Sequence, residues 1–285
     1  MPSRNRLLVT AVAAGALGGL GAGVALGGRL VLQRQAAVAR GLIGKPLGEQ
    51  ALDSDKVYKK RYGDAVDLVL VGDSVAAGLG ADAPKETLGA RLAKGIAKRT
   101  GRAVRLRTVA SVGAETSMLG EQLASLPSSY RPDVAVVVVG GNDVTHRVPV
   151  ADSVKHLEEA VRALQERGAA VVVGTCPDLG ALRPVPQPLR AIGSQQSRRL
   201  AEAQRRAVLD LGAWAVSLAA VVGPFFITNP DEMFSLDRFH PSAQGYRRTA
   251  KAMLPSVLAA LGHAHELPFG HHAPGNHLAG GPGDA

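Results

Sequence analysis

Residues Val134–Val139 read VAVVVV, six positions without a polar side chain. Successive side chains of a strand point to opposite faces, so a strand apolar at every position must be covered on both. That excludes a sheet with one wet face and favours a parallel sheet between two layers of helices. Four more runs fit the same layer: Val66–Val71 (VDLVLV), Val104–Val109, Ala169–Val173 and Trp214–Leu218. Amphipathic stretches separate or follow them at about 85–100, 117–126, 151–167, 194–211 and 242–261. Alternation of this kind predicts an α/β fold: a doubly wound, flavodoxin-like sheet of five parallel strands flanked by helices, in a single domain.

The two ends of the chain have a different composition. Leu7 to Gly28 is a charge-free run, with Arg4 and Arg6 before it and Arg29 and Arg34 after. As a helix it would span ~30 Å, the thickness of a bilayer core. Gly15, Gly19, Gly23 and Gly27 recur every fourth residue, a spacing that lets helices approach closely. Residues 1–33 are therefore expected to be a transmembrane anchor or a signal segment. An Ala37-Val38-Ala39 cleavage site is the alternative, though Arg29 and Arg34 lie between it and the apolar run. Residues 34–62 read as a basic juxtamembrane linker, with Lys56–Arg61 (KVYKKR) either against headgroups or in solvent. The folded domain is expected over 63–262, and 263–285 as a disordered Gly/Pro/His-rich tail. These features imply a membrane-anchored or exported protein, with its folded domain expected on the extracytoplasmic side, although positive charge is heavier after the apolar run than before it and leaves the orientation open.

The formal net charge of +9 invites a nucleic-acid reading. Residues 1–62 hold ten Lys/Arg against three acids, and residues 63–285 hold 23 against 21. The excess thus lies outside the folded body, and aromatic residues are only 4% of the chain, too few for a base-stacking surface. No nucleic-acid partner is expected. The single cysteine, Cys176, excludes an intramolecular disulfide and a multi-cysteine metal site.

In doubly wound sheets ligands bind beyond the carboxyl ends of the strands. After the first strand stands Gly72-Asp73-Ser74-Val75-Ala76-Ala77-Gly78. A serine there sits at the sheet rim, where its amide faces a developing negative charge; an ordinary turn with Ser74 capping a helix is the plainer reading. After the second strand comes Ser111-Val112-Gly113, and after the third Gly140-Gly141-Asn142-Asp143. Asn142 can donate to an oxyanion or close an Asx turn. After the fifth strand comes Asp237-Arg238-Phe239-His240-Pro241. Carboxylate and imidazole three residues apart can meet, leaving Nε2 as a base for Ser74. Pro241 would open the following helix. Asp143 and His146 form a second pair at the same spacing; the later pair is preferred, since it leaves Asn142 free for the oxyanion.

Taken together, these blocks resemble the SGNH hydrolase superfamily, the GDSL esterases. GDS with a glycine four residues after the serine, Gly113, GGND and DRFHP stand in the family's order over residues 66–261. The resemblance implies a serine esterase working through an acyl-enzyme, with Ser74 as nucleophile, His240 as base and Asp237 orienting it. It also implies an oxyanion hole from the Ser74 and Gly113 amides and the Asn142 side chain. No cofactor or metal is needed for such chemistry. The expected substrates are esters with short or medium acyl chains on a small molecule, lipid or glycan; an acyltransferase using the same residues is the alternative. A non-catalytic module on this fold is opposed by the intact site residues, and the chain lacks G-x-G-x-x-G and the P-loop pattern. The prolines of 177–193 and the Phe225, Phe226, Phe234 and Phe239 cluster are candidates for pocket wall or for plain connection and core.

Overall fold

The computed structural model describes residues 27–44, 46–264 and 266–275. Five parallel strands form the centre: β2 (Ala65–Gly72), β3 (Ala103–Thr108), β4 (Val134–Val138), β5 (Ala170–Gly174) and β6 (Trp214–Val216). Their order is β3-β2-β4-β5-β6, so the chain reverses direction across the sheet between β2 and β4, which pair with Val69 opposite Ala135. This is the flavodoxin-like order expected for a doubly wound sheet.

Alternation along the strands makes two cores. Leu68, Leu70, Val136 and Val138 point to one face, which is covered by α3 (Leu88–Thr100) and α11 (Ala243–Ala260). Val69, Val71, Val137 and Val173 point to the other. That face is covered by α4 (Leu119–Ala124), α6 (Val150–Glu166) and α7 (Leu189–Asp210). β4 is buried at all its positions, as its sequence demands.

The margins of the domain lie further out than expected. β1 (Val57–Tyr58) runs antiparallel on β3, and β7 (His271–His272) runs antiparallel on β6. The first lies inside the stretch expected to be a linker, the second inside the expected disordered tail. Beside the first edge Leu106 N donates to Lys56 O and Thr108 N to Asp55 Oδ2, and beside the second Ser217 N donates to Gly270 O. Tyr58 is buried and donates its hydroxyl to Ser54 O. Residues 27–43, labelled α1, are helical. Among the described residues no helix is long and apolar enough to cross a membrane. The expected span, Leu7 to Gly28, lies outside the described residues except for Gly27 and Gly28, as does the tail beyond 275.

Candidate active site

Ser74 is the first residue of the short helix α2 (Ser74–Ala77), directly after β2. The helix is capped by Asp73, not by the serine: Asp73 Oδ1 accepts from Val75 N at 2.9 Å. Gly72 is fixed by contacts that local sequence does not reveal. Its backbone has φ +132, and a Cβ there would stand 2.0 Å from Val138 O. The Gln122 side chain accepts from Gly72 N at 2.9 Å and donates to Gly72 O at 2.8 Å. Glycine is required because β2 and β4 close on each other at the rim.

His240 reaches the serine from the loop before α11. Three short helices, α8 (Leu218–Val221), α9 (Gly223–Thr228) and α10 (Pro230–Met233), separate β6 from this loop. The loop is pinned where Ser235 N donates to His240 O and Ser242 N to Met233 O. α11 is capped by Ser242, which accepts from Gln244 N and Gly245 N. Pro241 therefore precedes the cap and does not open the helix.

His240 Nε2 lies 2.9 Å from Ser74 Oγ, and Nδ1 lies 2.5 Å from Asp237 Oδ2. Asp237 Oδ1 also accepts from the Phe239 and His240 amides, both at 2.9 Å. Burial alone would raise the Asp237 carboxyl; the hydrogen bonds from the His240 ring and the two amides outweigh it and hold the group below its ordinary value. An ionised Asp237 can only accept, so Nδ1 carries the proton and Nε2 of a neutral ring accepts from the serine hydroxyl.

The second carboxylate–histidine pair does not assemble. Asp143 is fully buried and accepts from Thr116 Oγ1 at 2.5 Å and Ser153 Oγ at 2.6 Å. His146 turns away to Glu115, 2.6 Å distant, with its side chain 59% exposed. Asp143 thus ties α5 (Gly141–His146) to α6.

The amides of Ser74 and Gly113 donate to no acceptor among the described residues. Gly113 has φ +82 and open space where a Cβ would stand. Asn142 Nδ2 donates to Ala114 O at 2.9 Å. A primary amide has two N–H groups, so this bond orients the side chain and leaves one donor.

Asp73 is 4% exposed. Burial, together with the Asp143 charge, pushes its carboxyl up to about 6 against the lowering effect of the Val75 amide and His240. Cys176 is fully buried, and burial first, then the nearby Asp73, Asp143 and Asp178 charges, push its thiol up. It is a packed hydrophobe rather than a nucleophile. Gln204 bridges two strand ends, accepting from Cys176 N and donating to Val139 O.

A cavity of about 100 Å³ opens at Ser74, His240 and Asn142. Its walls include Leu179, Leu182, Val222, Phe226, Phe234 and Phe239. The loop after β5 and three of the four phenylalanines are therefore pocket wall. Phe225 instead packs against the core under Arg248, whose guanidinium lies 4.0 Å from its ring centre.

Sheet order and site together define an SGNH-type carboxylic ester hydrolase. Residues 70–248 match the GDSL-like Lipase/Acylhydrolase family. The GDSL-like esterase Rv1075c of Mycobacterium tuberculosis is 38% identical over 280 residues, covering 94% of this chain and 88% of that one. The chain belongs to the GDSL-like lipase/acylhydrolase family. The fold is also that of a lipase/acylhydrolase from Enterococcus faecalis, with TM-score 0.54, 21% identity, and coverage of 66% of this chain and 93% of that one. The esterase EstA from Pseudoalteromonas is similar too, with TM-score 0.54, 17% identity, and coverage of 69% and 98%.

Proposed function

We propose that the protein hydrolyses esters of short acyl groups through an acyl-enzyme on Ser74. The observation that carries this is the continuous chain Asp237–His240–Ser74 opening onto a small apolar cavity. Ser74 Oγ attacks the ester carbonyl while His240 Nε2 takes its proton. The Ser74 and Gly113 amides and the Asn142 side chain hold the tetrahedral oxyanion. His240 then gives its proton to the departing alcohol, and water, activated by the same imidazole, releases the acid. The ionised Asp237 holds the imidazole in the required tautomer and offsets its transient charge.

The cavity at the serine suits an acyl chain of few carbons, because its walls leave only about 100 Å³. A graded panel of nitrophenyl esters, run on the wild type and on Ser74→Ala, tests this. Acetyl and butyryl esters should turn over well and dodecanoyl esters poorly, with every rate lost in the variant. Equal turnover by Ser74→Ala would overturn the proposal. Adding a primary alcohol separates hydrolysis from acyl transfer, since a transferase would form the new ester at the expense of free acid.

The apolar run over residues 7–28 and the basic residues after it support a location at, or export across, a membrane. Protease treatment of intact cells would remove an extracytoplasmic domain and spare an internal one.

A further inference from the structure

A second, larger cavity of about 1520 Å³ meets the first at Asn142, His240 and Phe239. Its roof is α1, which no part of the proposed catalytic mechanism uses. α1 is docked on the loop before α7: Gln35 Nε2 donates to Gln187 O at 2.5 Å, and Gln35 Oε1 accepts from Leu189 N at 3.1 Å. Leu32, Ala36, Ala39 and Ile43 line the cavity. Their spacing puts them on one face of the helix, and Ala39 is buried there. Val185, Leu189 and Ile192 supply the apolar floor opposite.

The same cavity is lined by Arg29, Arg40, Arg147 and Arg190. None of these guanidinium groups pairs with a carboxylate among the described residues. The acids lining it are Glu49 and Asp237, and Asp237 is already engaged by His240. Positive charge therefore exceeds negative in a vestibule that also presents the aliphatic side chains of α1 and of the segment opposite. His240, which must protonate the leaving oxygen, lines this vestibule, as does the oxyanion-side Gly113.

We infer that the vestibule is the alcohol-side subsite, roofed by α1, and that it takes an aliphatic alcohol ending in an anionic group. The inference rests on the esterase reading of Ser74. It makes the site asymmetric: a short acyl group in the smaller cavity, a long amphiphilic alcohol in the larger one. The apolar stripe of α1 holds the chain, and the arginines hold the anion.

The experiment compares four esters below their micellar concentrations: ethyl acetate, octyl acetate, 8-acetoxyoctanoate and ethyl octanoate. For the wild type, kcat/KM should rise from ethyl acetate to octyl acetate and again to 8-acetoxyoctanoate, with ethyl octanoate at least tenfold below octyl acetate. In the double variant Arg40→Gln/Arg190→Gln the preference for 8-acetoxyoctanoate over octyl acetate should shrink by roughly tenfold, chiefly through KM. High salt should shrink it in the wild type. Leu32→Asp should shrink the preference for octyl over ethyl acetate. Ethyl octanoate preferred over octyl acetate would put the long chain on the acyl side and overturn the inference. So would preferences unchanged in both variants. If Ser74-dependent turnover of every ester is absent, the esterase reading itself falls; if ethyl acetate is turned over, the subsite alone is judged.

Discussion

Ser74 Oγ and His240 Nε2 stand 2.9 Å apart although 166 residues separate them in the chain. The end of β2 fixes one and the loop before α11 fixes the other. Gly80 joins the two halves, since a Cβ there would lie 2.5 Å from Pro241 O and 3.1 Å from His240 Cβ.

Gly80→Ala should therefore damage both stability and turnover. Its φ of +99 disfavours any side chain, and the new methyl would push the His240 loop outward. A loss of about 2–4 kcal/mol is expected, read by denaturant unfolding, with kcat falling alongside. Gly120→Ala is the contrast: it sits in α4 with nothing within 4 Å of the new Cβ. It should be neutral, or stabilising by about 0.5–1 kcal/mol.

The two histidines that share a spacing with an upstream aspartate should behave differently. His240→Ala should remove ester turnover, because among the described residues only His240 bonds to Ser74 Oγ. His146→Ala should keep most of it, because His146 is bonded to Glu115 on the surface. Steady-state rates on nitrophenyl acetate measure both, and the reverse ranking would refute the assignment.

Asn142→Ala removes a proposed oxyanion donor while leaving the serine and histidine in place. A fall of about 10²–10³ in kcat, with KM little changed, is expected. A change confined to KM would mean that Asn142 binds substrate without stabilising the transition state.

The Asp73 carboxyl is held at about 6 by burial, above the value of about 3.9 in an unfolded chain. Between those values the folded protein binds the proton more tightly. The stability that this proton supplies is complete below the unfolded value and lost as pH rises through about 6. Asp237 is shifted the other way, so its contribution is present above the unfolded value and lost as pH falls through the folded one. Asp73→Asn keeps an acceptor for Val75 N and removes the buried charge. It should stabilise the protein at pH 8 by on the order of 2–3 kcal/mol, with the gain vanishing near pH 4. Melting curves at the two pH values test the sign.

The five parallel strands were legible because each apolar run must be buried on both faces. The same logic located the serine and asparagine blocks at strand ends, whereas the histidine block lies beyond three short helices after β6. The edges were not legible: Val57–Tyr58 and His271–His272 are two-residue strands, too short for a periodic signal, and the second consists of two polar residues. Gln122, which clamps Gly72, sits in a helix like any other glutamine, and only the fold brings it to the turn. Asp143 looked like half of a catalytic pair because spacing cannot tell a carboxylate facing solvent from one saturated by Thr116 and Ser153. The position of α1 over the site was hidden as well, since the contact of Gln35 with Gln187 and Leu189 spans about 150 residues.

The central claim is that Ser74 is a nucleophile activated by His240. Labelling with a fluorophosphonate, followed by mass spectrometry of the intact protein and its peptides, tests it most directly. The account predicts one adduct per chain, on Ser74, abolished in Ser74→Ala and strongly slowed in His240→Ala. A folded wild-type protein that takes no label, or takes it on another serine, would contradict it.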